Sequence, residues 1–198
     1  MKVVQLDQKS NDWLLWRQTG LGSSDAAAIL GLSKWTTAEE LWAQKVGQAE
    51  NKRNNSAMQR GVRLEPKARE IYEKIMGWKV EPICCVHDQY GWLKASLDGW
   101  NSELRLVVEI KAPNKDDHRE ALNGKVPLHY QPQVDHLLLV SDGLQAHYVS
   151  YNPNFKDAEH LAIVPWLPKK DRLERLFRAE STFWDHVRTR TPLSSEAA

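Results

Sequence analysis

Two carboxylates and one lysine, Asp98, Glu109 and Lys111, stand close together near the middle of the chain. They belong to two runs, residues 93–98 and 104–111, in which apolar and polar side chains alternate with the period of a β-strand. Carboxylate oxygens are the ligands that Mg²⁺ prefers, and a lysine beside them could orient or help deprotonate a water and offset charge on a phosphate. The set therefore predicts hydrolysis of a phosphodiester by metal-activated water.

The alternation also predicts which side chains share a face of a hairpin. In each run the apolar set would point into a core and the intervening set would point away from it. The apolar set is Leu93, Ala95 and Leu97 with Leu104, Leu106, Val108 and Ile110; the other set is Lys94, Ser96 and Asp98 with Arg105, Val107, Glu109 and Lys111.

Asp98 and Glu109 could share an ion only if they lie opposite each other. That register places the turn at residues 102–105 and Ser96 opposite Lys111. A register shifted by one residue would bury both carboxylates, whereas a shift of two would also satisfy the pattern. With the Ile110 carbonyl, the two carboxylates would suffice as protein ligands. However, Asp and Glu-x-Lys at this spacing arise by chance in many proteins, and polar strand faces are commonly just solvated.

Length and composition favour one compact, soluble, intracellular domain. The chain has 198 residues, 41% of them hydrophobic, and no apolar run approaches the roughly 20 residues that span a bilayer. The two cysteines, Cys84 and Cys85, are adjacent, which fits a reducing compartment and excludes a cluster held by four thiolates. The net charge is only +1, so any site for a polyanion must be local.

The elements that would position these residues are helices first, then three strands, then further helices and strands. This order predicts an α/β fold with a mixed central sheet flanked by helices, in a single domain over residues 1–198. Helices are predicted from Ser23 or Ser24 to Gly31, from Thr37 to near Gly47, and over residues 56–76, 116–122, 126–140 and 171–187, with Pro66 kinking or restarting the third. Strands are predicted near residues 78–86, in the hairpin, and over residues 144–151 and 160–166, and a frayed tail from residue 192.

A glycine-rich loop from Gly20 to Asp25 could bind a phosphate at the start of the first of these helices. Free backbone N–H groups and the Ser23 or Ser24 hydroxyl would face the anion, and Arg17 could close the pocket. The simpler interpretation is a serine N-cap beside a surface arginine, and Asp25 argues against an anion there.

Gln133 is a polar amide on the otherwise apolar stripe of the helix predicted over residues 126–140. A buried amide must find hydrogen-bond partners. It either caps a neighbouring backbone group, which is the commoner case, or reaches into a polar site to hold a water or a phosphate oxygen.

Five motifs between Trp13 and Tyr151, taken together, resemble the lambda-type (YqaJ-like) phage recombinase exonucleases. They are W-R-Q-T-G-L-G-S-S-D-A-A-A-I-L-G, A-M-Q-R-G-V-R-L-E-P, A-S-L-D-G-W, V-V-E-I-K-A-P and Y-Q-P-Q-V, in that order. That family belongs to the restriction-endonuclease-like, or PD-(D/E)XK, superfamily, so the resemblance implies the same α/β core. Five motifs in one order are far more specific than any one of them.

The resemblance assigns roles to residues at matching positions. It implies that Asp98, Glu109 and the Ile110 carbonyl bind Mg²⁺, or Mn²⁺ in its place, and that Lys111 serves the attacking water. It implies that Gln133 supports the site and that Glu65 acts through the water shell of the metal. Arg17, Ser24 and Ser96 match a pocket for the 5′-terminal phosphate, so the glycine-rich loop becomes a functional candidate.

The activity that the resemblance implies is magnesium-dependent 5′ to 3′ digestion of one strand of duplex DNA with 5′-phosphorylated ends. Its product would be a 3′ overhang for a single-strand annealing protein, in a bacterial cytoplasm and from a phage or prophage gene. A homotrimeric ring would confine positive groups to its bore and reconcile a charge of +1 with DNA binding. Two alternatives stay open: a structure-selective or sequence-selective endonuclease, and a non-catalytic DNA-binding module, against which the intact Asp98, Glu109 and Lys111 argue.

Overall fold

A six-stranded sheet forms the centre of the molecule in the computed structural model, which describes residues 1–50 and 56–193. Its strands lie in chain order: β1 (Lys2–Val4), β2 (Glu81–Val86), β3 (Lys94–Asn101), β4 (Leu106–Lys111), β5 (Gln145–Tyr151) and β6 (Leu161–Trp166). Strands β4 and β5 are parallel, and all other neighbours are antiparallel. The prediction of a mixed sheet is confirmed.

Helices cover both faces of this sheet. They are α1 (Asn11–Gln18), α2 (Ala26–Ile29), α3 (Ala38–Lys45), α4 (Ser56–Met76), α5 (Lys115–Leu122), α6 (Gln131–Ser141) and α7 (Lys170–Thr189). On one face, Val134, Leu137 and Leu138 of α6 pack on β3, β4 and β5. On the other, Ala68 and Tyr72 of α4 pack on β4 and β5. A third cluster joins α2, α3 and α7.

Local sequence signals account for most of the helix boundaries. The Thr37 hydroxyl accepts from the Glu40 N–H and the Glu40 carboxylate accepts from the Thr37 N–H, which is the predicted capping box of α3. Pro66 lies inside α4, which continues over its whole predicted length and does not restart. Pro132 lies in the first turn of α6, where its missing N–H costs no hydrogen bond, so the helix begins at Gln131.

Two short elements near the N-terminus were not predicted from sequence. Strand β1 pairs with β2, and α1 begins after Ser10, whose side chain accepts from the Trp13 N–H. None of the residues of α1 is fully buried. Neither element is long enough to show a clear period, so the sequence pattern misses both.

The register of the β3–β4 hairpin agrees with the prediction. Gly99 pairs with Val108 and Asn101 with Leu106, so the turn lies at residues 102–105. The same register places Asp98 and Glu109 next along the two strands, immediately beyond the last paired residues.

The prediction of one apolar and one polar hairpin face is wrong. Leu97 packs in the same cluster as Val107, whereas Val108 and Ile110 lie in the cluster on the opposite face. Trp100 contacts the same cluster as Leu97 although it stands three residues later, which requires a break in the alternation near Asp98. A shift in the β2–β3 register between Glu81 and Ile83 accompanies this break. Both faces are covered by helices, so no hairpin face is merely solvated.

The predicted tail begins at residue 192, and residues 194–198 of it lie outside the described residues. Within the described ranges, the structure has no helix long and apolar enough to cross a membrane.

Candidate active site

The two predicted carboxylates lie at the point where β3 and β4 separate. Asp98 Oδ2 accepts a hydrogen bond of 2.8 Å from the Ile110 backbone N–H, which fixes this carboxylate against β4. Glu109 is only 1% exposed. Lys111 Nζ lies 2.5 Å from Glu109 Oε1, and Gln133 Nε2 of α6 donates to the same oxygen at 2.6 Å. Sheet and helix together therefore bring Glu109, Lys111 and Gln133 into contact, and Asp98 is bonded to the neighbouring residue Ile110.

Burial dominates the electrostatics of this group. It raises the pKa of Asp98 well above its usual value, and the charges of Glu109 and Glu65 raise it further. Burial also raises the pKa of Glu109, although Lys111 opposes that shift. Burial disfavours the Lys111 ammonium, but Glu109 and Asp98 raise its pKa above the usual value. Lys111 thus offsets only part of the effect of burial and of the repulsion between the carboxylates.

Glu65, which lies on α4, is close enough to Asp98 and Glu109 to raise their pKa values, and it has two cationic partners of its own. Its carboxylate bonds to Arg69 at 2.5 Å and to Lys9 at 2.9 Å. Arg69 Nε also donates to the backbone carbonyl of Asp98 at 2.8 Å. Through Arg69, Glu65 is tied to the strand that carries Asp98, and the structure brings it to the site as predicted.

These residues fit a hard divalent cation. No group of three or more His, Cys, Asp or Glu side chains suited to a metal is found among the described residues. Magnesium needs fewer, because it usually takes one or two carboxylates and completes its shell with water and substrate oxygens. The carboxylates of Asp98 and Glu109 repel each other, so a cation bound by their oxygen atoms would stabilise them, and the Ile110 carbonyl lies on the same strand as Glu109.

The three residues predicted for a phosphate pocket meet around Trp13. Arg17 stacks on the Trp13 ring, with its guanidinium carbon 4.6 Å from the ring centroid, and donates to Ser24 Oγ at 2.7 Å. The Trp13 indole N–H donates to Ser96 Oγ at 2.7 Å. One helix, one loop and one strand thus contribute to a single polar cluster that contains a guanidinium.

The glycine-rich loop is docked on β3. Leu21 bridges to Leu93, and a Cβ on Gly20 would lie 2.4 Å from the Trp92 carbonyl oxygen, so only glycine fits there. The predicted serine N-cap is wrong, because Gly22 takes the cap position and its N–H donates to the Asp25 carboxylate. Residues Ser23–Asp25 form a 3₁₀ turn before α2.

Asp25 does not project into the proposed phosphate pocket as a free charge. Its carboxylate lies 2.7 Å from Lys45 Nζ. Burial opposes ionisation, but Lys45 and Arg17 together lower the pKa of Asp25 below its usual value. The charge of the acidic residue that argued against an anion here is therefore paired with Lys45 of α3.

Gln133 connects the loop to the carboxylates. Its amide nitrogen lies 3.5 Å from Ser23 Oγ as well as 2.6 Å from Glu109. Of the two interpretations of this amide, the structure supports the one in which it reaches into a polar site.

Sequence reasoning missed several neighbours of the site. Tyr130 lies with its ring centroid 5.5 Å from Lys111 Nζ. Lys94 is buried and bonds to the Trp16 carbonyl and the Thr19 hydroxyl. Burial, with a contribution from Lys45, lowers the pKa of Lys94 to about 8. The signal for Tyr130 was present, since it precedes Gln133 in the motif Y-Q-P-Q-V.

A profile of the YqaJ-like viral recombinase domain matches residues 12–143, which include every residue of this site except Lys9. The chain belongs to the YqaJ-like viral recombinase family. One relative is the protein YqaJ of Bacillus subtilis (strain 168), which is 28% identical over 190 residues. That alignment covers 90% of this chain and 56% of the relative, so the chain spans little more than half the length of that family member.

Solved structures share the fold. An alkaline exonuclease (LHK-Exo) from Laribacter hongkongensis matches with a TM-score of 0.81 and 23% identity, over 91% of this chain and 94% of the exonuclease. A phage-related exonuclease from Haemophilus somnus 129PT matches with a TM-score of 0.62 and 12% identity, over 86% and 96% of the two chains. The predicted restriction-endonuclease-like fold is confirmed.

Proposed function

We propose that this YqaJ-like chain is a DNA exonuclease of viral-type recombination that digests one strand of a duplex from a 5′-phosphorylated end. The observation that carries the proposal is the contact of Glu109 with both Lys111 and Gln133. Gln133 also approaches Ser23 of the glycine-rich loop, whose Ser24 bonds to Arg17 of α1. A hydrolytic centre and an anion pocket are thereby joined through one side chain.

The residues have separable tasks in this reaction. When bound by Asp98, Glu109 and the Ile110 carbonyl, Mg²⁺ or Mn²⁺ would activate a water and stabilise charge on the phosphate. The carboxylates of Glu109 and Asp98 raise the pKa of Lys111 against the effect of its burial, and its ammonium would orient the attacking water and offset phosphate charge. Gln133 fixes the Glu109 carboxylate, and Arg69 fixes the backbone of Asp98.

The bond changes explain why a 5′-phosphate pocket would be useful. A water oxygen attacks the phosphorus between the first two nucleotides, and the bond to the 3′-oxygen of the first nucleotide breaks. The attacking water loses a proton, and the departing 3′-oxygen gains one. The shortened strand then carries a new 5′-phosphate, which is again a ligand for Arg17 and Ser24. The Laribacter exonuclease has been solved in complex with dAMP, a mononucleotide of the kind this cleavage releases.

Further parts of the proposal concern assembly and partners. A ring of three chains around the duplex and a single-strand annealing protein that takes the 3′ overhang are supported by the family resemblance. A ring would reconcile the formal charge of +1 with DNA binding, because it would concentrate positive groups on the side that faces DNA.

The test compares three DNA substrates in Mg²⁺: linear duplex with 5′-phosphate ends, the same duplex with 5′-hydroxyl ends, and covalently closed circles. We expect rapid digestion of the phosphorylated duplex, much slower digestion of the hydroxyl form, and no cutting of closed circles. Asp98→Asn, which keeps an acceptor for the Ile110 N–H, is the inactive control. Cutting of closed circles would favour the endonuclease, and equal rates on both duplexes would remove Arg17 and Ser24 from the site.

A further inference from the structure

Trp35 differs from the other eight tryptophans, all of which lie in the described residues. It is 56% exposed, whereas the others are buried or half-buried by their contacts. Trp92 and Trp184, for example, stack on each other in the cluster beneath α7. An exposed tryptophan beside a functional site is a candidate contact residue, because tryptophan is enriched at interfaces.

Trp35 stands at the rim of the candidate active site. It lies in the segment between α2 and α3, and its ring is 6.1 Å from that of Tyr130, centroid to centroid. Tyr130 is in turn 5.5 Å from Lys111 Nζ. A single aromatic ring therefore separates Trp35 from the lysine that serves the reaction.

Trp35 is held in place although it is exposed. Its edge-on contact with His129 has a centroid distance of 5.1 Å and an interplanar angle of 79°, and His129 is itself buried. Ser33 Oγ accepts from the Trp35 and Thr36 N–H groups, which fixes the backbone of the turn. An aromatic ring that is positioned before binding loses little conformational freedom when a ligand arrives.

The surroundings favour a nucleic-acid base as the ligand. Lys34 precedes Trp35, has a 57% exposed side chain and lies 3.5 Å from Asp117. Lys111 is the cation on the inner side. An aromatic ring flanked by cations is the usual surface for single-stranded nucleic acid, with bases on the ring and phosphates near the charges.

We propose that Trp35 is a stacking platform for one unpaired base of the DNA strand that enters the active site. The inference rests on the proposed function and deepens it. An exonuclease that acts on duplex must separate terminal bases from their partners, and stacking on Trp35 compensates for part of the lost base stacking. The indole then positions the strand while the adjoining phosphodiester lies near Lys111.

The test is a double-mutant cycle between the indole and the base. Variants Trp35→Ala and Trp35→Phe are compared with wild type and with Leu128→Ala, a matched control in which an exposed apolar neighbour without a ring is removed; Leu128 is 59% exposed and belongs to the same turn as His129 and Tyr130. Each protein is titrated with labelled 5′-phosphorylated strands that carry one abasic nucleotide at successive positions. Affinity is measured by fluorescence anisotropy in EDTA, so hydrolysis does not interfere.

We expect Trp35→Ala to weaken binding of the intact strand on the order of ten-fold. Removing the base at one particular position should weaken wild type and Leu128→Ala similarly and leave Trp35→Ala unchanged, with Trp35→Phe between them. An abasic penalty equal in wild type and Trp35→Ala at every position overturns the inference, even if Trp35→Ala is a weaker nuclease. Failure of wild type to hydrolyse duplex in Mg²⁺ refutes the proposed function separately, since the binding cycle does not depend on hydrolysis.

Discussion

Glu109 is the residue on which most contacts of the site converge. Lys111 and Gln133 both bond to its Oε1 oxygen, and its side chain is almost completely buried. A buried carboxylate without partners would be costly, so these contacts contribute to stability as well as to chemistry. Effects on activity and on stability can therefore be separated by substituting Lys111 and Glu109 independently.

Lys111→Ala should abolish hydrolysis and also lower the free energy of unfolding by about 1–3 kcal/mol, because Glu109 loses its charged partner. Adding Glu109→Gln should restore much of that stability without restoring hydrolysis, since the second variant removes the unpaired charge. Urea unfolding and a duplex-digestion assay on the two variants provide the comparison. Equal stability of Lys111→Ala and wild type would contradict the assigned contact.

Residues whose chemistry is visible in the local pattern could be predicted, and residues defined by distant partners could not. Asp98, Glu109 and Lys111 stand on adjacent strands, so spacing and alternation point to them. Trp13 has its indole partner, Ser96, 83 residues away along the chain. A single sequence contains no signal for such a pair.

At the scale of elements, α6 joins most of the described structure. It packs on the sheet, carries Gln133, and contacts α7 through His136. His136 Nδ1 lies 2.7 Å from Glu180 Oε1, and Nε2 lies 2.9 Å from the Lys94 carbonyl oxygen. Both partners are acceptors, so both ring nitrogens donate only when the imidazole is protonated. A buried charged pair thus joins α6, α7 and β3.

Stability should fall as the pH rises from 6.5 towards 8. Burial disfavours the charged ring, but Glu180 and the lesser charge of Asp25 raise the pKa of His136 above 6.5. Its contribution is therefore complete below 6.5 and is lost as the pH rises through the folded value. The other buried histidines, His118, His129 and His147, have lowered pKa values, so their contribution to the free energy of unfolding no longer changes much above pH 6.5. Lys94, whose pKa is about 8, makes stability depend on pH only from about that value upward.

The measurement is the free energy of unfolding in EDTA at several pH values, for wild type and for Glu180→Gln. The amide keeps a hydrogen bond to His136 and removes the charge that raises its pKa. The variant should show a shallower slope between pH 6.5 and 8, because it lacks the contribution of His136; any contribution from the raised pKa values of Asp98 and Glu109 is common to both proteins. The same slope in both proteins would show that another group is responsible.

Element boundaries were more predictable than the faces of elements. The caps at Thr37 and Gly47 and the period of α4 depend on neighbouring residues alone, so the sequence predicts them. Which side chains of the hairpin share a face depends on the break in alternation near Asp98. This break accompanies a shift in the pairing of β3 with β2, a strand that is distant in sequence from β4. Alternation shows that each strand has two faces but does not reveal where the alternation changes, which is why the predicted faces of the hairpin are wrong.

On the scale of the whole molecule, the charges are nearly balanced, yet the site is not. The chain carries 27 lysines and arginines against 26 acidic residues, whereas the site places Asp98, Glu109 and Glu65 close together. Folding brings these carboxylates close enough to repel one another, and a bound cation would offset that repulsion. Ligand binding should therefore be visible in global stability.

Mg²⁺ should raise the unfolding midpoint of the wild type, because an ion held by the proposed ligands would bind the folded chain in preference to the unfolded one. At about 100 times the dissociation constant the gain is about 2.7 kcal/mol, or roughly 5–10 °C for a domain of this size. Thermal scans in EDTA and in Mg²⁺ measure it, with Asp98→Asn as the control. An equal rise in the control would place the ion elsewhere.

The contact of Gln133 with both Ser23 and Glu109 has a consequence for the products of the proposed reaction. It holds the loop that would grip the terminal phosphate at a constant distance from the carboxylates that would direct cleavage. The enzyme would then behave as a ruler, removing fragments of uniform size whatever the base sequence. Fragment length would be determined by the packing of α6 against the loop.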